Sequence, residues 1–324
     1  MFNGINMKNP KVTVLMSVYN GEKYLREAIE SILNQTFKDF EFLIINDGST
    51  DRTAEILQSY DDPRIKIINN EKNIGLTKSL NKGLKMARGE YIARMDADDI
   101  SMPERLEKEV DFLETHRDYA VVGTFVKILN EHSGVIRLLD RPVEYAQIRE
   151  FFRRDNCIAH GSAMIRKNCI LDVGFYDESM ERSQDYDLWL RLSEKYRLAN
   201  IPEYLYIWRN HNENIEAKYM DEQKIFVVLA MVKNNILDVE QATTRFIDLI
   251  AEKCVPRLKL LTITFLFINL FTFNRIAPST MYKVFYRIRF SKKVNVILND
   301  FKMEKISLEK AKLNLKDIVE RRLI

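Results

Sequence analysis

The first hundred residues repeat one pattern: a short continuous apolar run, a polar turn, then apolar positions at helical intervals. Residues 12–18, 40–45, 65–68 and 91–95 are mostly apolar runs of strand length. Between them, 22–34 carries Tyr24, Ala28, Ile29, Ile32 and Leu33 at helical spacing, and 53–60 and 76–87 also read as helices. A strand with apolar residues on both sides is covered on both faces. Four such strands alternating with helices therefore predict a parallel sheet flanked by helices. After a further helix at 105–116 the pattern turns mixed. Residues 121–129 and 135–139 predict a hairpin around Ser133-Gly134, 143–153 a helix, 161–165 a strand, 185–196 a helix and 204–208 a strand. From about Asn214 only helical patterns follow. An α/β domain over residues 1–212 is thus expected ahead of a helical appendage over 213–324.

The polar residues that interrupt this pattern fall at the carboxyl ends of the strands. Ser17, Tyr19 and Asn20 close the first and Asn46-Asp47-Gly48-Ser49 the second. Asp96-Ala97-Asp98-Asp99 closes the fourth, and Asn73-Ile74-Gly75 precedes the third helix. Each has an ordinary reading alone. Asp47-Gly48 suits a tight turn and Ser49 or Thr50 a helix cap. The tetrad could be an acidic turn before a helix capped by Ser101, with Glu104 three residues on. At one edge of one sheet they point instead to a ligand site, because open α/β sheets bind ligands outside the carboxyl ends of their strands. Three carboxylates in four residues repel one another unless something positive neutralises them. Mg²⁺ typically takes one or two carboxylates together with substrate phosphates. The pattern reads as a nucleotide site with a divalent metal at its phosphate end.

In that order, Val18-Tyr19-Asn20-Gly21, Asn46-Asp47-Gly48-Ser49-Thr50-Asp51, Asn73-Ile74-Gly75-Leu76 and Met95-Asp96-Ala97-Asp98-Asp99 resemble glycosyltransferase family 2. The resemblance extends over residues 11–212, with a nucleotide-sugar half to about 100 and an acceptor half beyond it. It implies the GT-A fold, a Rossmann-like, mostly parallel sheet flanked by helices. It also implies a nucleoside-diphosphate-sugar donor, usually a uridine one, and inversion at the anomeric carbon. The resemblance assigns Ser17 and Asp47 to the base, Asp96 to the ribose and Asp98 to the metal, with Asp99 nearby. Tyr19 belongs to the same donor set, and Gly75 lets the backbone approach the donor.

An inverting transfer needs a general base that takes the proton of the acceptor hydroxyl. Arg182-Ser183-Gln184-Asp185-Tyr186-Asp187-Leu188-Trp189 opens a helix, and the acidic pair usual for the family appears here as Gln184-Asp185. Asp185 keeps the carboxylate and is the expected base; its ordinary reading is a helix N-cap. Asp187, two residues on, points to another side of the helix. His211 follows the last strand of the domain, where GT-A enzymes often supply a histidine to a metal, here Mg²⁺ or Mn²⁺. His160 precedes Gly161-Ser162 in a segment similar to the family's acceptor-side strand, which also reads as simple packing.

Composition narrows the setting. Three cysteines, odd in number and scattered, have no metal-ligand spacing and suit reduced thiols. No apolar run precedes the first strand, so no signal peptide is expected and the reading is cytoplasmic. The net charge of +3 is uneven: nine basic and no acidic residues lie between Lys253 and Asn299, leaving −6 for the remainder. Residues 260–274 are uncharged but shorter than the roughly 20 residues a spanning helix needs. Tyr282, Phe285, Tyr286, Ile288 and Phe290 alternate with Lys283, Arg287, Arg289, Lys292 and Lys293. That mixture suits peripheral contact with the anionic inner face of the plasma membrane, or a helical subdomain packed on the catalytic domain. No nucleic-acid module is present. The expected partners are a UDP-sugar and a glycan or lipid-linked acceptor, as in surface polysaccharide synthesis. A nucleotidyltransferase would need a glycine-rich, basic loop after the first strand, where Asn20-Gly21-Glu22-Lys23 stands. A non-catalytic nucleotide-sugar scaffold would lack the base.

Overall fold

The computed structural model describes residues 9–238 other than 213, together with 241 and 245. Four strands form the first part of the sheet: β1 (Val12–Val18), β2 (Phe40–Asn46), β3 (Ile65–Asn69) and β4 (Tyr91–Asp96). Their order is β3-β2-β1-β4, all parallel. Helices α1 (Leu25–Leu33), α2 (Thr53–Gln58) and α3 (Leu76–Met86) connect them. Every residue of β2 is buried, as a strand covered on both faces requires. The register sets Ser17 beside Ile45 on one side and Asp96 on the other, with Val18 beside Asn46. The polar ends of β1, β2 and β4 are therefore flush.

The chain continues through β5 (Ile100–Ser101), α4 (Arg105–Thr115), β6 (Tyr119–Asn130), β7 (Ile136–Leu139) and α5 (Tyr145–Phe151). A 3-10 turn (His160–Ser162) follows, then β8 (Met164–Arg166), α6 (Lys167–Val173), α7 (Gln184–Ser193), β9 (Arg197–Asn210) and α8 (Ile215–Lys233). The sheet extends as β4-β8-β6-β9-β5, with β7 paired to β6 in the expected hairpin. Here the pairing is mixed. β8 runs antiparallel to β4 and β6, and β9 parallel to β6. The mostly parallel sheet thus describes the first half, and the second half adds antiparallel strands.

Three local expectations change. Ser101 does not cap a helix; it pairs with Tyr206 as the end of β5, and its hydroxyl accepts a hydrogen bond from Gln35 at 3.0 Å. β9 runs well beyond 204–208, because Pro202 and Glu203 are bulged out where the register passes from Thr124/Ile201 to Phe125/Tyr204. A bulge is one of the few places a strand tolerates proline. α6 is an element the apolar pattern alone does not mark.

One buried polar cluster ties the amino-terminal ends of the strands. Glu41 on β2 accepts hydrogen bonds from the Thr13 hydroxyl (2.8 Å), the Arg88 amide (2.7 Å) and guanidinium (2.8 Å), and Lys66 (2.9 Å). Burial alone would raise its pKa, but these donors outweigh burial and hold it at about 2, below the ordinary 4.5. A depressed carboxylate stabilises the fold above its unfolded value and loses that contribution as pH falls. Glu41→Gln should therefore cost about 3 kcal/mol at neutral pH. In denaturant titrations the gap to wild type should close between pH 4.5 and 2; a gap that persists at pH 2 would contradict the cluster's role.

The chain divides into two units, Met1–Lys218 and Tyr219–Ile324, a boundary six residues past the expected one. Among the described residues no helix is long and apolar enough to cross a membrane, and Cys157 and Cys169 are buried free thiols. Residues 1–8, the apolar stretch 260–274 and the basic, aromatic stretch 282–293 lie outside the described residues.

Candidate active site

The loops after β1 and β2 are stitched together by the polar residues of their motifs. The Asn20 amide donates to the Ser49 hydroxyl (3.0 Å), and Asn20 Oδ1 accepts from the Thr50 amide (2.8 Å). The Gly21 amide donates to Thr53 and the Glu22 amide to Asp51. Asn20 takes a left-handed backbone, φ 52°, to make this turn. Ser17 is partly exposed at the end of β1, and Tyr19 is 49% exposed just beyond it. Asp47 is buried. Its carboxylate accepts from the Asn70 side chain (2.8 Å) and from the amides of Ile74 (3.0 Å) and Gly75 (2.9 Å). Asp47 thereby shapes the Asn73-Ile74-Gly75 loop. Gly75 has φ +94°, and a Cβ there would meet no protein atom within 4 Å. The backbone thus needs glycine, while the space above it is open.

The tetrad after β4 separates into three environments. Asp96 is ion-paired with the buried Arg94, whose guanidinium also reaches the Met95 carbonyl. The amide of Asp96 donates to the Tyr206 hydroxyl at 3.2 Å. Asp99 is buried and accepts from the Arg209 amide at 2.8 Å, with the Tyr206 hydroxyl as a second partner. Burial, then the charges of Asp98 and Asp96, push the Asp99 pKa well up, so Asp99 is held as a structural acid. Desolvation also raises Asp96, against the pull of Arg94. Gly161 lies so close that a side chain there would collide with the Tyr206 hydroxyl and the Asp96 carboxylate.

Asp98 is partly exposed. Its Oδ2 lies 3.0 Å from His211 Nε2 and 3.2 Å from the Asn214 side-chain nitrogen. His211 is buried against the Tyr24 ring, with centroids 4.7 Å apart. The Asp98 carboxylate and a neutral His211 imidazole are the groups that would hold a divalent cation here. Among the described residues no group of three or more His, Cys, Asp and Glu could hold a metal. A cation here would therefore have two protein donors and need the rest from a substrate or water.

Asp185 sits in the first turn of α7, second in the helix and not at its cap; Ser183 holds the cap position with φ 52°. The Asp185 carboxylate accepts from the Asn156 side chain at 2.8 Å and from the backbone amides of Asp185 and Tyr186. Burial raises its pKa from 3.8 to about 6 against those donors, and the charge of Asp96 adds to the rise. Asp187 is buried and paired with Arg191 at 2.9 Å, which commits it to structure. His160 Nε2 lies 2.8 Å from the Tyr176 hydroxyl, and its ring packs edge-on to Trp189. Burial, and then the Arg94 charge, hold the imidazole neutral.

The sequence profile of Glycosyl transferase family 2 matches residues 13–174. The chain belongs to that family. As a glycosyltransferase it is 40% identical over 227 residues to an uncharacterised glycosyltransferase of Methanocaldococcus jannaschii, over 68% of this chain and 78% of that one. It is 37% identical to the O-antigen biosynthesis glycosyltransferase WbnJ of Escherichia coli, over 63% of this chain and 82% of that one. Its fold is similar to the crystal structure of S. aureus TarS 1–349 in complex with UDP-GlcNAc, with TM-score 0.63 and 17% identity over 96% and 92% of the two chains. The family match ends at residue 174, ahead of Asp185 and His211.

The structure brings Ser17, Asp47, Gly75, Asp96, Asp98 and His211 to one end of the sheet, with Asp185 near enough to feel Asp96. Sequence reasoning missed Arg94, Asn156, Tyr206 and Asn214. Arg94 alone left a signal, a lone charge inside the buried run 91–95. The others follow from contacts between distant segments.

Proposed function

We propose that this transferase moves a sugar, with inversion at the anomeric carbon, from a uridine-diphosphate donor to a hydroxyl of a glycan or lipid-linked acceptor in surface polysaccharide synthesis. The observation that carries the reading is the convergence of Asp98 and His211, 113 residues apart in the chain, at the open end of β4 beside Asp96 and Asp185. The biosynthetic role named for WbnJ and the ligand of the TarS crystal support the acceptor class and the uridine donor.

In this reading Tyr19 stacks on the base beside Ser17, since an exposed aromatic ring at a nucleotide site offers its face at little cost. Asp47 orders the Gly75 loop; its Oδ2, which accepts from the Gly75 amide, retains capacity toward a base N–H. Asp96, oriented by Arg94, meets the ribose. Asp98 and His211 would hold Mg²⁺ or Mn²⁺, which when bound neutralises charge on the departing diphosphate. Asp185 takes the proton of the acceptor hydroxyl as that oxygen bonds to the anomeric carbon. The bond from that carbon to the diphosphate oxygen breaks, and the nucleoside diphosphate leaves with its electron pair.

The test is nucleotide release over a panel of UDP-, GDP-, CMP- and dTDP-sugars with Mn²⁺. Release should be confined to UDP-sugars. Turnover of another nucleotide class, with every UDP-sugar left intact, would overturn the donor assignment.

A further inference from the structure

We infer that Asn81 is a positioning residue for Asp185, latching the segment that leads to the base onto the helix that starts at the donor loop. The inference rests on the reading of Asp185 as the base.

Residues 174–183 connect α6 to α7 in a conformation that the segment does not favour by itself. Phe175 (φ 60°) near one end and Ser183 (φ 52°) at the other are both left-handed, and neither is glycine. Such backbone persists only where surrounding contacts over-determine it. From α7, Arg191 donates to the carbonyls of Val173 and Phe175, each at 2.7 Å. From α3, the buried Asn81 grips the next residue at two points. Its Nδ2 donates to the Tyr176 carbonyl (2.9 Å), and its Oδ1 accepts from the Tyr176 amide (3.1 Å). The same Nδ2 reaches the Glu178 carboxylate at 3.1 Å, and Thr77, one turn earlier on α3, donates to the Met180 carbonyl at 3.4 Å.

α3 is itself anchored in the donor site. It starts immediately after Gly75, whose amide is held by Asp47. One rigid helix thus joins the loop that Asp47 shapes to the segment that ends at Ser183 and Asp185. Asn81 is far in the sequence from Tyr176 (95 residues), and its hydrogen bonds go to Tyr176 and Glu178, not to the three carboxylates of the tetrad or to Asp185. Its effect on chemistry must then run through the placement of the base. Small misplacements of a reacting group cost rate out of proportion to their size.

The experiment compares full-length Asn81→Ala and Asn81→Asp with wild type. UDP affinity is read by calorimetry in Mn²⁺, transfer by steady-state kinetics, and backbone protection by hydrogen–deuterium exchange. Asn81→Asp keeps the size and the acceptor oxygen but loses both donated bonds, so it remains informative if Asn81→Ala does not fold. The expected result is UDP affinity within about twofold of wild type, kcat lower by roughly tenfold or more, and faster exchange confined to 174–185. Unchanged kcat in a folded variant overturns the inference, and so does a loss of UDP affinity equal to the loss of kcat. Full turnover by Asp185→Asn would instead remove the base assignment, which keeps the two failures apart.

Discussion

Asp185→Asn should lower transfer turnover by roughly 10²- to 10⁴-fold while donor affinity stays within a few-fold of wild type, the pattern of a lost general base. The amide fits the same space beside Asn156 and the first-turn amides of α7, so the loss would be of proton affinity and not of shape. The pH dependence makes the assignment stricter. Burial raises the Asp185 pKa to about 6, and a base works only when ionised. Wild-type turnover should therefore be flat above pH 6 and fall about tenfold per pH unit below it, and that limb should vanish in the variant. Stability should move the other way. A carboxyl whose folded pKa exceeds its unfolded value favours the fold below the unfolded value of 3.8, and this contribution is lost as pH rises through about 6. At neutral pH the neutral Asn should thus leave the thermal midpoint equal or higher, a trade common at catalytic groups. Wild-type turnover in Asp185→Asn would sink the base assignment. A lowered midpoint accompanying the lost activity would show that the carboxylate was structural.

Asp98→Ala should produce the second large effect, in binding. If Asp98 and His211 hold the cation that grips the diphosphate, wild-type affinity for UDP should depend on Mn²⁺ or Mg²⁺ and collapse with chelator. The variant should bind roughly 10²-fold or more weakly with metal present, and chelator should then weaken it no further. His211→Ala should fall between, at about tenfold, because the carboxylate remains. The 3.0 Å approach of Asp98 and His211 has a second explanation, a plain hydrogen bond that closes β9 onto β4. The two explanations part in the calorimeter. UDP binding unaffected by chelator in the wild type would leave only the hydrogen bond.

Much of the architecture was legible in the chain. Apolar runs gave the parallel strands β1 to β4 within a residue; β1, β2 and β4 are covered on both faces and leave no room for alternation, while β3 at the sheet edge is only half-buried. The polar residues at their carboxyl ends were legible for the same reason, as exceptions to a strict pattern. The second half was less so. Its strands pair with partners far along the chain: β8 lies between β4 and β6, and β9 pairs with both β6 and β5. A short strand such as β5 carries no periodicity to detect. Gly161 read as packing, yet its lack of a side chain is what admits Tyr206 and Asp96 beside it.

By itself the sequence determined which residues carry charge and where strands must end, and so the donor edge and the family. It could not divide the labour among the carboxylates. Asp96, Asp98 and Asp99 are chemically the same within four positions, and only the fold distinguishes them. Arg94 comes from the same strand, but Arg209, His211 and Asn214 arrive from more than 100 residues away. Burial then pushes the Asp99 pKa up, while Asp98 stays partly exposed beside His211. The same holds for Asp185 and Asp187, two turn-mates of which one is paired with Arg191 and the other is desolvated beside Asn156. A carboxylate's role depends on its dielectric surroundings and its nearest charges, and both are set by segments that meet only when the chain folds.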